Sequence, residues 1–252
     1  MNRRMKLMAL PVVLLAVSFV LGGCQGSTYV ISKSEEIQIG QQAATDFDSQ
    51  HRIDRTSQNA RWLQQIGDRV AAAAEPPEYP YTFTIVVEDE ANAFALPGGP
   101  VYFYKGLIDE LNGDPDQVAW VLAHEITHIR QQHAVRRIER QIGAQLLIGV
   151  LLGNQRTAQD IAGAVAGLAL QDYGRDNEIM ADRLGCRWAA GAGYDPTASL
   201  AVLETFKRLQ GSDPNDFEIL FMSHPGNTER EDSVKRYLDE QHYTGQYYHG
   251  GG

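Results

Sequence analysis

The chain of 252 residues carries 22 Lys and Arg against 32 Asp and Glu, for a formal charge of −10, and 43% of it is hydrophobic. No basic cluster follows the first few positions, which disfavours nucleic-acid binding, and the apolar content excludes wholesale disorder. Its only two cysteines are Cys24 and Cys186, so stability must come from an ordinary apolar core.

Arg3, Arg4 and Lys6 precede an apolar run from Leu7 to Leu21, then Gly22, Gly23 and Cys24. This reads as a secretory leader over residues 1–23, too short and wrongly flanked for a stable membrane span. Its end resembles a bacterial lipobox, which implies cleavage before Cys24 and a lipid on that cysteine. Gln25 follows, and resemblance to Gram-negative lipoproteins then points to the inner face of the outer membrane. An ordinary leader with an incidental cysteine is the plainer alternative. Cys186 reads as a small buried core thiol.

Residues 24–33 read as the lipidated cysteine and a tether, 34–240 as one domain, and 241–252 as a flexible tail. Ser34-Glu35-Glu36 looks like a helix start, with the helix running to about Gln50. Trp62, Ile66 and Val70 mark a second helix from Ser57 to Ala74, ended by Pro76 and Pro77. From Tyr81 the period changes to two, a strand, and a hairpin follows around Pro97-Gly98-Gly99-Pro100. Its first strand, Asn92, Ala93, Phe94 and Ala95, reads as an edge that pairs with an extended peptide; the alternative is a sheet that only covers the core.

Asp114-Pro115-Asp116-Gln117 supplies an N-cap, a proline at the first helical position and a possible capping box. Val118, Val121, Leu122, Ile126 and Ile129 continue as a helical stripe, so this helix is expected to be buried on one side. Within it, His124-Glu125-Ile126-Thr127-His128 places two histidines at i and i+4, on one face, where both imidazoles can hold one Zn²⁺. Glu125 stands beside them, able to take a proton from the attacking water. His133 falls on the opposite face if the helix continues, and is not expected to reach the same metal.

Two apolar stretches, 142–153 and 161–170, each fall short of a membrane span and read as buried or groove-lining helices, with a membrane-dipping hairpin as the alternative. Glu178 and Asp182 share a face of the next helix. A catalytic zinc wants three protein ligands, which makes Glu178 the natural third. Asp182 would accept a hydrogen bond from a zinc histidine and fix its tautomer. Asp195-Pro196 and Asn227 start two further helices.

His124 to His128, Asn177-Glu178-Ile179-Met180-Ala181-Asp182 and Ser223-His224-Pro225-Gly226-Asn227-Thr228-Glu229-Arg230 together resemble the HtpX/BepA/Oma-type family of zinc metallopeptidases, over roughly residues 34–240. The resemblance implies an α+β fold, a mainly helical gluzincin domain with a small sheet and hairpin before the active-site helix. It also implies one zinc per chain on His124, His128 and Glu178, with Glu125 as general base and acid. His224 would either stabilise the oxyanion or occupy the fourth zinc position in a latent state, and Arg230 would position its segment. The metzincin pattern fails, because Gln131 and Ala134 stand where Gly and His are required.

The expected function is zinc-dependent endopeptidase action on unfolded or extended polypeptides in the periplasm, with envelope quality control suggested by the resemblance. Envelope assembly factors are possible partners, and the lipid would tether the chain to the membrane. The rival is a lipoprotein that binds or chaperones outer-membrane proteins, its zinc structural or latent; a membrane-embedded prenyl-protein protease would need spanning helices that the sequence does not offer.

Overall fold

A computed structural model of the chain describes residues 31–74, 79–142, 173–210, 224 and 228–250. The expected leader, Cys24 and, apart from Ile142, the two apolar stretches lie outside these residues. Among the described residues no helix is long and apolar enough to cross a membrane.

Helix α1 (Lys33–Gln50) begins before Ser34 because Ser32 is its cap. The Ser32 hydroxyl accepts the Glu35 N–H at 3.3 Å and the Glu35 carboxylate accepts the Ser32 N–H at 2.6 Å, a closed capping box. Helix α2 (Gln58–Ala73) is capped by Ser57 and buries Leu63, Ile66 and Val70.

Between and after these helices lie four strands: β1 (Ile53–Asp54), β2 (Thr82–Val86), β3 (Ala93–Ala95) and β4 (Pro100–Tyr104). The sheet order is β1-β2-β4-β3, with β4 parallel to β2 and antiparallel to β3. The short β1 was not foreseen. The hairpin therefore puts β3 at an edge, and its alternating side chains serve two cores. Ala93, Ala95, Val101 and Phe103 belong to the main core, whereas Phe94, Tyr102 and Tyr104 pack with Ile39, Ala43 and Phe47 of α1. At the β3–β4 turn Gly98 has φ 75°, its N–H donates to Glu36 Oε1 at 3.2 Å, and a Cβ there would lie 2.4 Å from Ile37 Cα. Only glycine fits that close approach.

Helix α3 (Lys105–Glu110) leads to α4 (Pro115–Arg130), whose cap Asp114 accepts the N–H groups of Asp116 and Gln117 at 2.9 and 3.2 Å. Every residue of α4 from Val118 to Ile129 is buried, not one face alone. The reason is a full jacket: α2, β3 and β4 cover part of it, and α6 (Arg175–Gly191) and α7 (Ala198–Gln210) cover the rest. At Gly185 of α6 a Cβ would stand 3.3 Å from Trp120 Nε1 and 3.4 Å from His124 N, so the small residue lets α6 approach the motif closely. Helix α5 (His133–Ile142) follows α4 after a sharp corner, and α8 (Thr228–Glu240) closes the order.

The described part of the tail is tied down, contrary to expectation. The Gln246 N–H donates to Asp195 Oδ2 at 2.9 Å, Tyr248 donates to Asp239 at 3.1 Å, and Tyr247 donates to Asp114, the cap of α4.

Candidate metal centre

One turn of α4 brings His124 Nε2 and His128 Nε2 within 2.9 Å of each other. Helix α6 sets Glu178 opposite, 3.4 Å from His124 Nε2 and 3.5 Å from His128 Nε2. His224 arrives from the segment before α8, with Nδ1 3.2 Å from His124 Nε2 and 3.0 Å from Glu178 Oε2. All four side chains are buried, and their donor atoms form one cluster that could hold a metal ion. A tetrahedral zinc with bonds of about 2.0–2.1 Å sets its donors about 3.3 Å apart. Separations of 2.9 to 3.5 Å bracket that value, and imidazole nitrogens with a carboxylate are zinc-type donors, so the residues fit the ion.

Behind these donors Asp182 Oδ1 lies 3.0 Å from His124 Nδ1. Arg230 holds Asp182 in a fork, donating at 2.6 and 2.8 Å. The same guanidinium reaches Glu178 Oε2 and the His224 carbonyl, each at 3.2 Å. One buried arginine therefore joins two carboxylates and the backbone of the fourth donor.

Glu125 is buried beside the cluster, and His224 Nε2 stands 3.3 Å from its Oε1. The Ala95 N–H also points at this carboxylate. Tyr104 donates to the Asn92 carbonyl and Leu96 to that of Pro100, so Asn92, Leu96 and by alternation Phe94 turn their backbone groups toward β4. Ala93 and Ala95, both buried, turn theirs away from β4, on the side of Glu125. Of the four residues expected along the substrate edge, these two face the site; the Phe94 ring packs away from it, onto Phe47 and Tyr102. Asn92 is wholly buried, and its amide has no partner among the described residues.

Burial pushes the Glu125 carboxyl up to about 7, only partly offset by His224. Burial would do the same to Glu178 and Asp182, but His224 and Arg230 hold Glu178 well below the usual carboxylate range, and Arg230 holds Asp182 low. Burial opposes a charge on His124, yet Asp182 and Glu178 raise it overall; His128 is driven well below the usual imidazole range by burial. Burial also raises the Cys186 thiol to about 12, as suits a core residue away from chemistry.

Sequence reasoning missed Tyr173, and kept His133 off the metal for a reason that does not hold. Helix α4 ends at Arg130 and Gln132 takes φ 54°, so His133 starts a new helix that folds back. Its Nδ1 lies 2.8 Å from His128 Nδ1, while the ring stays outside the donor cluster. The helix-face argument for excluding it from the metal does not apply, because no continuous helix carries both residues. Tyr173 stacks on His128 with centroids 4.2 Å apart and planes at 23°. Neither has a sequence signal: glutamine rarely marks a left-handed helix end, and Tyr173 lies 45 positions from His128.

Comparison with known proteins agrees with this geometry. The family model described as Peptidase family M48 matches residues 57–238. The beta-barrel assembly-enhancing protease of Escherichia coli is 28% identical over 197 residues, 73% of this chain and 39% of that protein. The mitochondrial metalloendopeptidase OMA1 of Arabidopsis thaliana is 29% identical over 215 residues, 83% of this chain and 42% of the relative. The metalloprotease YcaL of Escherichia coli is 23% identical over 227 residues, 88% of this chain and 86% of the relative. The chain thus spans about two fifths of the first two relatives and most of the third.

Proposed function

Because this chain belongs to peptidase family M48, we propose that it is a zinc-dependent endopeptidase of the bacterial cell envelope, acting on misfolded or unassembled envelope proteins. The observation that carries the reading is Glu125, a buried carboxylate beside four converging side chains that could hold a metal ion. A site built only to hold zinc for structure needs no such base. The name of one relative, a beta-barrel assembly-enhancing protease, supports the choice of substrate class, and that of another, a metalloendopeptidase, supports the reaction.

In this reading His124, His128 and Glu178 hold the zinc. When bound, the ion supplies Lewis acidity that activates water and polarises the scissile carbonyl. Glu125 takes the proton from the attacking water and returns it to the leaving nitrogen, and a carboxyl near 7 suits both duties. An unfolded polypeptide would lie extended along β3, taken up by the backbone of Ala93 and the Ala95 carbonyl, which are turned away from β4, with the unpartnered Asn92 amide nearby in sequence. Attachment through a lipid on Cys24 would keep the enzyme at the inner face of the outer membrane.

His224 supports a second, latent state of the same enzyme. Its Nδ1 completes the donor set while its Nε2 faces Glu125 at 3.3 Å, so one ring covers both the fourth position and the base. A purely binding or chaperoning lipoprotein would keep that arrangement permanently.

The test is casein cleavage by the zinc-loaded protein. Glu125→Gln should retain zinc and lose cleavage by about a hundredfold or more; equal turnover would overturn the mechanism. His224→Ala should cleave faster if the ring is a latency device, and slower if it serves the oxyanion.

A further inference from the structure

His128 presents Nε2 to the point where the donors converge, so Nδ1 is its outward nitrogen. That atom lies 2.8 Å from Nδ1 of His133, and both rings are buried. A hydrogen bond between two imidazole nitrogens needs one donor and one acceptor. A histidine that gives its Nε2 lone pair to a metal keeps its proton on Nδ1. His128 must then donate, and His133 must accept.

We propose that His133 is a positioning residue of the metal centre: its Nδ1 accepts the Nδ1–H of His128 and so holds that ligand in the metal-binding tautomer and ring orientation. The inference rests on reading the four donors as a zinc site and adds a residue that touches no reacting atom. Asp182 plays the corresponding part for His124 with a carboxylate; here a second imidazole plays it.

The contact is built from several directions. The corner between α4 and α5 is turned by Gln132 in a left-handed conformation, and its amide donates to Glu36 Oε2 at 2.9 Å. Glu36 is itself buried and also accepts from Tyr79 at 2.9 Å and from the Gly98 N–H at 3.2 Å. The corner that presents His133 is thereby anchored to α1 and to the hairpin turn. Tyr173 covers the face of the His128 ring, so the imidazole is held in its plane by His133 and across its plane by the phenol ring. Accepting at Nδ1 leaves the His133 proton on Nε2, which has no partner among the described residues. A side chain present only to fill space would shed that buried polar atom at no loss.

The experiment compares zinc dissociation constants of the parent protein and of His133→Asn, His133→Gln and His133→Leu, by competition with a chromophoric chelator, with metal-free melting curves as the check on folding. The Asn amide oxygen stands near the place of Nδ1 and the Gln amide near that of Nε2. His133→Asn should therefore stay within about threefold of the parent, while Gln and Leu should weaken zinc binding by about 10–100-fold. Zinc binding by the Gln variant equal to the parent, or by the Asn variant no better than Gln, would overturn the proposal. Long-range ¹H–¹⁵N spectra of the zinc-loaded parent give a second reading that needs no variant: protons on Nδ1 of His128 and Nε2 of His133 support it, and the reverse overturns it. A parent that binds no zinc removes the metal site itself, an outcome distinct from a parent and variants that all bind zinc equally.

Discussion

His124 and His128 are the same residue one helical turn apart, yet their outward nitrogens meet opposite surroundings. Behind His124 stand a carboxylate, Asp182, and the buried Arg230 that grips it. Behind His128 stand the imidazole of His133, which burial keeps uncharged, and a stacked phenol ring. The difference teaches that the two sides of one metal site are secured by different physics. The first depends on charge pairing in a dry interior, where every partner must be present; the second depends on ring geometry and a single hydrogen bond. Glu125 belongs to neither side, since Arg230 neutralises its carboxylate neighbours far more directly than it reaches Glu125.

The charged side should break hardest. Arg230→Met leaves Asp182 and Glu178 buried without their cation, a loss of about 3–5 kcal/mol. Urea denaturation of the metal-free protein should show it, and a change below about 1 kcal/mol would mean that the arginine is not what holds this side together.

Next in size is the contrast between carboxylates. Glu125 has a folded-state value of about 7, above the ordinary 4.5. Its contribution to stability is therefore complete below about pH 4.5 and is lost as pH rises through 7, amounting to about 3 kcal/mol. Glu178 and Asp182, held low in the fold, act with the opposite sign: their contribution is present above the ordinary carboxylate range and disappears on acidification. Metal-free Glu125→Gln should gain on the parent between pH 4.5 and 7 and then hold a constant lead. A gap that does not change with pH would show that Glu125 ionises normally.

The smallest effect sharpens the comparison most finely. Asp182→Asn keeps the shape but removes the charge behind His124, making that side resemble the other. Zinc binding should weaken by about 10–100-fold, or 1.4–2.7 kcal/mol, with the metal-free fold less perturbed than by loss of Arg230. Unchanged zinc affinity would mean that a neutral acceptor serves His124 as well as a carboxylate.

Much of this site was legible residue by residue. His124, Glu125 and His128 are local, because helical spacing alone puts them together, and Glu178 with Asp182 follows from the same spacing on a second helix. The Asp114-Pro115 start of α4 and the Gly98-Gly99 turn were likewise readable, since caps and turns are properties of a few adjacent atoms. Arg230 was read only as a tether for its own segment, because its grip on Asp182 spans 48 positions. For His133 the conclusion stood and its reason did not. The period of a helix says nothing about where tertiary contacts end it, and here Glu36, 96 positions away from Gln132, helps to turn the corner. The tail was read as flexible because chain ends usually are; Tyr247 finds its partner in the distant cap of α4.

By itself, then, the sequence determined the secondary structure around the site, the spacing that brings His124, Glu125 and His128 together, and the family resemblance, all of which depend on spacing within one helix or on short motifs. Only the tertiary structure decided which groups stand behind each histidine, that Ala93 and Ala95 rather than Phe94 face Glu125, and that His224 reaches both the donor cluster and Glu125. Those facts arise when separate elements close on a buried helix, where direction and distance between distant residues are set by packing rather than by periodicity.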